Sequence, residues 1–312
     1  MTFIPRRTAV IGATGPTGSH LVDELLARGR RVRVVSRSLK RLDRMFDRLD
    51  VEKETANALD PEATRRAVDG CDLVVDCIGL PPAKIDAHAE TARVVAAAAD
   101  AVGARCLQVS SYWAFLPTDR EVIDESSPRR GDHPYYGPRR EAEDVMLAAG
   151  AAVVHLPDFF GPRVHTSTVQ RALEEAEAGG PIRCIGSAGT RREAGYVPDL
   201  MRMVADIAEL DDAYGADWGL PGIGPIAATE IAEIASRHLG RRITVQAAPP
   251  WLVKVMGLFS SQMRPVVPLV DHYARPVRYD TSKVRRLLDE VHLTPFDRAI
   301  PATLDWLAAQ GR

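Results

Sequence analysis

TAVIGATGPTGSHLVDELLARG, Thr8–Gly29, decides the fold. Thr8–Ala13 is a short apolar run without alternation, which predicts a strand buried on both faces. After the loop, Leu21, Val22, Leu25 and Leu26 recur at helical spacing, and Gly29 stops the helix. Between strand and helix lie Gly12, Gly15 and Gly18. In that context the first glycine permits a tight turn, the second lets backbone approach a pyrophosphate, and the third lets helix pack against strand. The helix start adds free N–H groups and a partial positive charge. Thr14, Pro16 and Thr17 fill the loop, and the two threonine hydroxyls can donate to phosphate. A dinucleotide site is the expectation.

Outward from that unit, strand and helix signals keep alternating. RVRVVSRS (Arg31–Ser38), Val51–Thr55, CDLVVDCIG, ARCLQVSS and Ala151–Pro157 read as strands. DPEATRRAV, with Asp60 as N-cap, and AHAETARVVAAAADAVG, ended by Gly103, read as helices between them. Another helix begins near Tyr135. Six strands alternating with helices predict an α/β fold, a Rossmann-type doubly wound parallel sheet with right-handed crossovers. The rest is less regular: helices are expected at Thr168–Ala178, Pro198–Leu210, Thr229–Leu239, Trp251–Phe259, Thr281–Asp289 and Ala302–Ala309, and short strands near Ile182–Ile185 and Ile243–Ala247. These would form a smaller, mostly helical substrate lobe. The expected division gives residues 1–165 to the dinucleotide-binding domain, with 186–225 returning to it, and 166–185 with 226–312 to the lobe.

With 312 residues, 46% hydrophobic and 26% charged, the chain can bury a substantial core. A net charge of −2 argues against nucleic acid as a partner. No apolar stretch reaches the ~18–20 residues of a membrane span, so no membrane partner is expected. Cys71, Cys77, Cys106 and Cys184 have no metal spacing and read as reduced thiols, and the first residues lack a signal-peptide layout; a cytoplasmic setting follows. At the end of the second strand, where an acid would hold the ribose of NAD, stand Ser36 and Arg37, with Lys40 and Arg41 nearby. A guanidinium fork suits a 2′-phosphate, so NADP is expected, NAD remaining possible.

Six segments in order then carry a resemblance: GATGPTG, Asp76–Gly79 (DCIG), Gln108–Phe115 (QVSSYWAF), Pro134–Glu143 (PYYGPRREAE), Pro157–Pro162 (PDFFGP) and Arg191–Leu200 (RREAGYVPDL). Over residues 8 to 200 the chain resembles the extended or atypical short-chain dehydrogenase/reductase superfamily, the NAD(P)-dependent epimerase/dehydratase branch. The resemblance implies hydride transfer between nicotinamide and a carbonyl or alcohol carbon of a small-molecule substrate. It implies Ser111 as the hydroxyl that polarises the substrate oxygen, with Ser110 as the neighbouring alternative. It implies Tyr135 as acid/base and Arg139 as the cation that anchors the nicotinamide ribose, although the family uses lysine there. Tyr136 with Arg140 has the same four-residue spacing. Arginine keeps the charge but releases no proton, so a non-catalytic NADP(H)-binding sensor is the alternative reading. Further cofactor contacts are implied at Cys77, Gly79, Ser110, Pro157 and Phe160; Phe159 would wall the substrate pocket. Arg192 stands where extended members grip a substrate phosphate. His133, just before the tyrosine, is more readily a structural histidine. The small residues of ETARVVAAAADAVG, in the helix the family pairs across a two-fold axis, imply a homodimer. PPWLVKVMGLFSSQM reads as a core helix of the lobe or as an apolar lid over a hydrophobic substrate.

Overall fold

The computed structural model describes residues 2–129, 136–165, 167–259, 267–273, 275 and 277–311. Tyr135 and His133 lie outside the described residues.

The first half runs β1 (Arg7–Ile11), α1 (Pro16–Ala27), β2 (Arg31–Ser36), α2 (Leu39–Phe46), β3 (Glu52–Thr55), α3 (Pro61–Val68), β4 (Leu73–Asp76), α4 (His88–Ala101), β5 (Arg105–Ser111), β6 (Val122–Ile123), α5 (Gly137–Ala148) and β7 (Ala152–Leu156). The rest runs β8 (Asp158–Phe160), α6 (Thr168–Glu177), β9 (Ile182–Ile185), β10 (Arg192–Tyr196), α7 (Val197–Ala208), β11 (Asp217–Gly219), β12 (Gly224–Ile226), α8 (Ala228–Leu239), β13 (Val245–Ala248), α9 (Pro250–Phe259), α10 (Val270–Tyr273), β14 (Arg278–Tyr279), α11 (Ser282–Leu287) and α12 (Phe296–Gln310). The main sheet has seven parallel strands in the order β11-β7-β5-β4-β1-β2-β3. The strand order reverses between β1 and β4, which opens a crevice at their carboxyl ends where the glycine loop sits.

β4 and β7 are buried along their length and β1 is buried beyond Arg7, as a sheet covered on both faces requires. One face is filled by Leu21, Val22 and Leu25 of α1 with Met201, Val204 and Ile207 of α7; the other by Ala92, Val95 and Ala99 of α4 with Ala142 and Met146 of α5. Asp60 caps α3 as expected, accepting from Ala63 N at 3.0 Å. A further core cluster brings together Phe160, Leu173, Ile182, Ile231 and Ile300.

Three expectations need adjustment. The sheet has a seventh strand, β11, which three residues were too short to announce. α12 begins at Phe296 rather than Ala302 and carries Pro301 inside it. Trp251–Phe259 is no core helix, since most of its side chains are exposed. Most alanines of α4 are spent inside the chain: Ala92, Ala96 and Ala99 are buried with Ala142 and Met146 of α5, while Glu90, Arg93, Ala97, Asp100 and Ala101 are exposed.

Candidate functional site

The glycine loop has a shape only glycine fills. Gly12 has φ of +80°, and a Cβ there would lie 2.8 Å from the Cys77 carbonyl oxygen. A Cβ on Gly18 would lie 2.4 Å from the Gly12 carbonyl oxygen. Gly15 differs: its Cβ would meet only that same oxygen, at 3.3 Å, so its free side is open. Gly15 is also the N-cap of α1 and has no side chain to satisfy the helix's first N–H groups, while Pro16 stands in the first turn. The loop is tied to the sheet by Gly12 N donating to Val35 O at 3.0 Å. These features fit a pyrophosphate held by backbone donors.

The rim of the cradle follows from the strand ends. Thr14 and Ser36 hydroxyls are 3.2 Å apart. Arg37 and Arg41 are exposed beyond Ser36, and neither forms an ion pair with a described residue. Cys77 is buried and its thiol is pushed up by burial; its backbone closes on Gly12, which explains its place in the loop without a role for sulfur.

Asp76, at the end of β4, is a residue that sequence reading did not single out. It is buried, accepts from Ile78 N at 2.9 Å, and burial pushes its carboxyl up to about 6 despite that bond and one from Gln108. A carboxyl whose folded pKa lies above its ordinary ~3.9 opposes folding once it must ionise. Its cost is absent at pH 4, grows as pH rises, and is complete above about 6. Asp76→Asn is therefore expected to raise unfolding free energy at pH 8 by on the order of 1–3 kcal/mol and to change it little at pH 4. Denaturant titrations at the two pH values check this; an equal effect at both would remove the ionisation argument.

The chemical end lies on β5 and α5. Ser110 is buried and donates to Glu143 Oε1, so its hydroxyl is committed to α5. Ser111 is half-exposed, and its oxygen accepts from Trp113 N at 3.3 Å, which leaves its proton for another acceptor. The structure thus separates the two serines. Pro138 lies in the first turn of α5, as its missing N–H requires. The structure also gives the two cations different surroundings. Arg140 is buried and donates to the carbonyls of Ala114, at 2.7 Å, and Leu116. Tyr136 is buried edge-on to Trp113, 5.9 Å between ring centres. That pair holds the segment after β5 in place. Arg139 instead lies near Glu143 and His88: burial lowers its pKa, the Glu143 charge partly restores it, and His88 is pushed down to about 3 by burial and by the Arg139 charge.

Behind Ser110 is a polar group with no signal in the sequence. Glu143 is fully buried and burial pushes its carboxyl up, opposed by His155 at 3.6 Å and Arg129 at 3.4 Å. His155 Nε2 is 3.2 Å from Asp217, which also pairs with Arg129 at 3.3 Å. His155 is the register partner of Ser110 on β7, so strand alternation turns both toward Glu143.

The substrate side centres on Arg192. Arg192, at the start of β10, donates through Nη2 to His272 Nε2 at 2.8 Å and to Tyr112 OH at 3.3 Å, and through Nη1 to the His272 carbonyl at 3.3 Å. Its guanidinium lies 4.9 Å from the centre of the Tyr273 ring. Asp158, whose carboxyl burial raises, supplies the opposing charge and accepts from Thr168 at 3.2 Å. Both terminal nitrogens of Arg192 are therefore engaged within the chain, by a helix from the last hundred residues where no motif is legible. The Phe160 side chain is fully buried and stacks on Phe296, 6.2 Å between ring centres, which leaves its backbone to face a cofactor. Phe159 is half-buried beside it, and Pro157 lies between β7 and β8 at the sheet's carboxyl edge. Among the described residues no group of three or more metal-ligating side chains occurs.

A family model for NAD(P)H binding matches residues 12–155. A ceramide reductase from Caulobacter vibrioides (strain NA1000 / CB15N) is 32% identical over 161 residues, 49% of this chain and 46% of that protein, so the match spans about half the relative's length. Solved structures similar over nearly the whole chain include MoeE5 in complex with UDP-glucose and NAD, at a TM-score of 0.81, 18% identity, and coverage of 98% of this chain and 100% of that one. A UDP-glucuronic acid 4-epimerase from Bacillus cereus in complex with NAD has a TM-score of 0.80 at 14% identity, covering 98% and 100%. A dTDP-glucose 4,6-dehydratase from Bacillus anthracis has 0.80 at 14%, covering 97% and 96%. At such identities the likeness is one of fold.

Proposed function

We propose, for a chain with the fold of the extended short-chain dehydrogenase/reductase superfamily, that it is an NADP(H)-preferring oxidoreductase acting on an apolar carbonyl or alcohol rather than on a nucleotide sugar. The observation that carries the substrate class is Arg192. A guanidinium with three of its five N–H groups donated to His272 and Tyr112, and with Tyr273 against its face, is held within the chain rather than presented as a free fork to a substrate phosphate. The aromatic rings around it make an apolar wall instead, and the named substrate class of the sequence relative, a ceramide, points the same way.

In this reading Gly12, Gly15 and Gly18 would cradle the dinucleotide, which would supply the hydride for a carbonyl carbon. Ser111, with its free proton, donates to the substrate oxygen. Tyr135 delivers the proton that completes the alcohol. Arg139 holds ribose hydroxyls and favours tyrosinate by its charge. A second reading, a non-catalytic NADP(H) sensor, is favoured by Arg139, which cannot relay a proton as lysine can. The deciding experiment is hydride transfer with long-chain ketones, aldehydes, enones and nucleotide sugars, followed by nicotinamide absorbance. Turnover of long-chain ketones supports the reading; turnover of nucleotide sugars alone would overturn the substrate class; binding without turnover of any favours the sensor.

Cofactor preference is testable separately. Arg37 is expected to favour NADPH over NADH, and Arg37→Asp to narrow or reverse the preference by of order 1–3 kcal/mol. Equal affinities of the unaltered protein for the two cofactors would refute the role of Arg37. A homodimer, through the exposed stripe of α4 and the adjoining edge of α5, is also part of the reading; light scattering is expected to give twice the 34.1 kDa chain mass at micromolar concentration. We infer a cytoplasmic setting from the buried reduced thiols at Cys71, Cys77 and Cys106.

A further inference from the structure

α9 carries an apolar surface that the fold leaves uncovered. Val253 and Gly257, one turn apart, face the protein and are buried. Trp251, Val255, Met256, Leu258 and Phe259 are exposed, Leu258 at 71% and Phe259 at 86%. The one charge on the helix, Lys254, pairs with Asp271 of α10 at 2.8 Å. A helix apolar around most of its circumference is ordinarily buried, and contiguous apolar patches mark interaction surfaces.

Two observations say what covers it. The first is charge: Arg242, Arg275 and Arg278, before and after α9 in the chain, are exposed and form no ion pair with a described residue, while the one carboxylate of residues 241–278, Asp271, is paired with Lys254, in a chain whose net charge is −2. The second is place: α9 packs on α10, which supplies the His272 and Tyr273 that close over Arg192. We propose that α9 lies in the interface of an anionic lipid bilayer, with Trp251, Leu258 and Phe259 among the acyl chains and flanking arginines at the headgroup phosphates. The helix lies along the surface and does not cross: among the described residues no helix is long and apolar enough to span a membrane. The span-length argument against a membrane partner therefore does not reach it. This rests on the apolar-substrate reading in one respect, that the docked face would bring the substrate side of the site to the lipid holding such a substrate.

The test uses the full chain, co-sedimented with vesicles of phosphatidylcholine alone or with about one-third phosphatidylglycerol, while tryptophan emission is recorded. Binding to the anionic vesicles with a blue shift is expected, and weaker binding to phosphatidylcholine alone. The double variant Leu258→Asp/Phe259→Asp, altered only at exposed positions, is expected to partition at least ~10-fold less with unchanged affinity for NADPH. Absence of vesicle binding by the unaltered protein, equal binding to the two vesicles, or unchanged binding of the variant overturns the proposal. A dimer that becomes monomeric in the variant also overturns it, by giving the helix to a second copy. None of these readouts needs turnover, so failure of the catalytic reading leaves the result interpretable.

Discussion

Tyr135→Phe is expected to lower turnover at least ~100-fold while NADPH affinity stays nearly constant, since a positioned acid/base contributes of that order. The structure sharpens this expectation through the neighbouring residues. Of the two tyrosine–cation pairs with helical spacing, Tyr136 with Arg140 is absorbed into the segment after β5, Arg140 donating to the carbonyls of Ala114 and Leu116. Tyr136→Phe should therefore act on stability more than on turnover. Arg139, near Glu143 and His88, keeps its place free of such carbonyl bonds among the described residues. Arg139→Lys should hold or raise activity, because it keeps the charge, restores a group that releases protons, and shifts the pH optimum as the tyrosine retunes. The measurement is a pH–rate profile for all three variants on whichever carbonyl the panel yields. Full turnover in Tyr135→Phe with loss in Tyr136→Phe would exchange their roles.

Gly15→Val is expected to weaken dinucleotide binding ~100-fold or more, about 3 kcal/mol, and to leave the fold largely intact. The three glycines are not equivalent. At Gly12 and Gly18 a side chain collides with backbone at 2.8 and 2.4 Å, so substitution there strains the chain with or without a ligand. At Gly15 a side chain meets one carbonyl oxygen at 3.3 Å and otherwise fills the space over the start of α1. Valine there takes the room a pyrophosphate needs. Fluorescence titration with NADPH, beside thermal unfolding, separates the effects; tight binding in Gly15→Val would move the phosphate site away from this loop. Both readings of function require this result, so it tests the cradle alone.

The Rossmann half was legible because each of its signals is local. A buried parallel strand is a short apolar run, a βα turn needs glycine, and Asp60 and Pro138 mark helix starts from within one turn. The seventh strand was not legible, because Asp217–Gly219 becomes a strand only by pairing with β7. At the site, the glycine loop and the serine pair are local patterns, and Ser110 could not be told from Ser111 until Glu143 was seen to hold its hydroxyl. Asp76, Glu143, His155 and His272 draw their character from burial and from partners up to 160 positions away in sequence, as in the Tyr112–His272 pair. No periodicity encodes that distance, and the partners of Arg192 were illegible for the same reason.

The late edge strand has a consequence for synthesis. β7 is fully buried in the finished sheet, yet its outer neighbour β11 emerges some sixty residues later. Tyr279, whose ring occupies the space a side chain on Gly219 would need, and Val284 and Leu288, which complete that core, come later still. A nascent chain that has already formed β1 to β7 therefore leaves the ribosome with an open apolar edge. Until the last of these residues is released, that edge can pair with another unfinished copy, and holdase chaperones would be its natural escort.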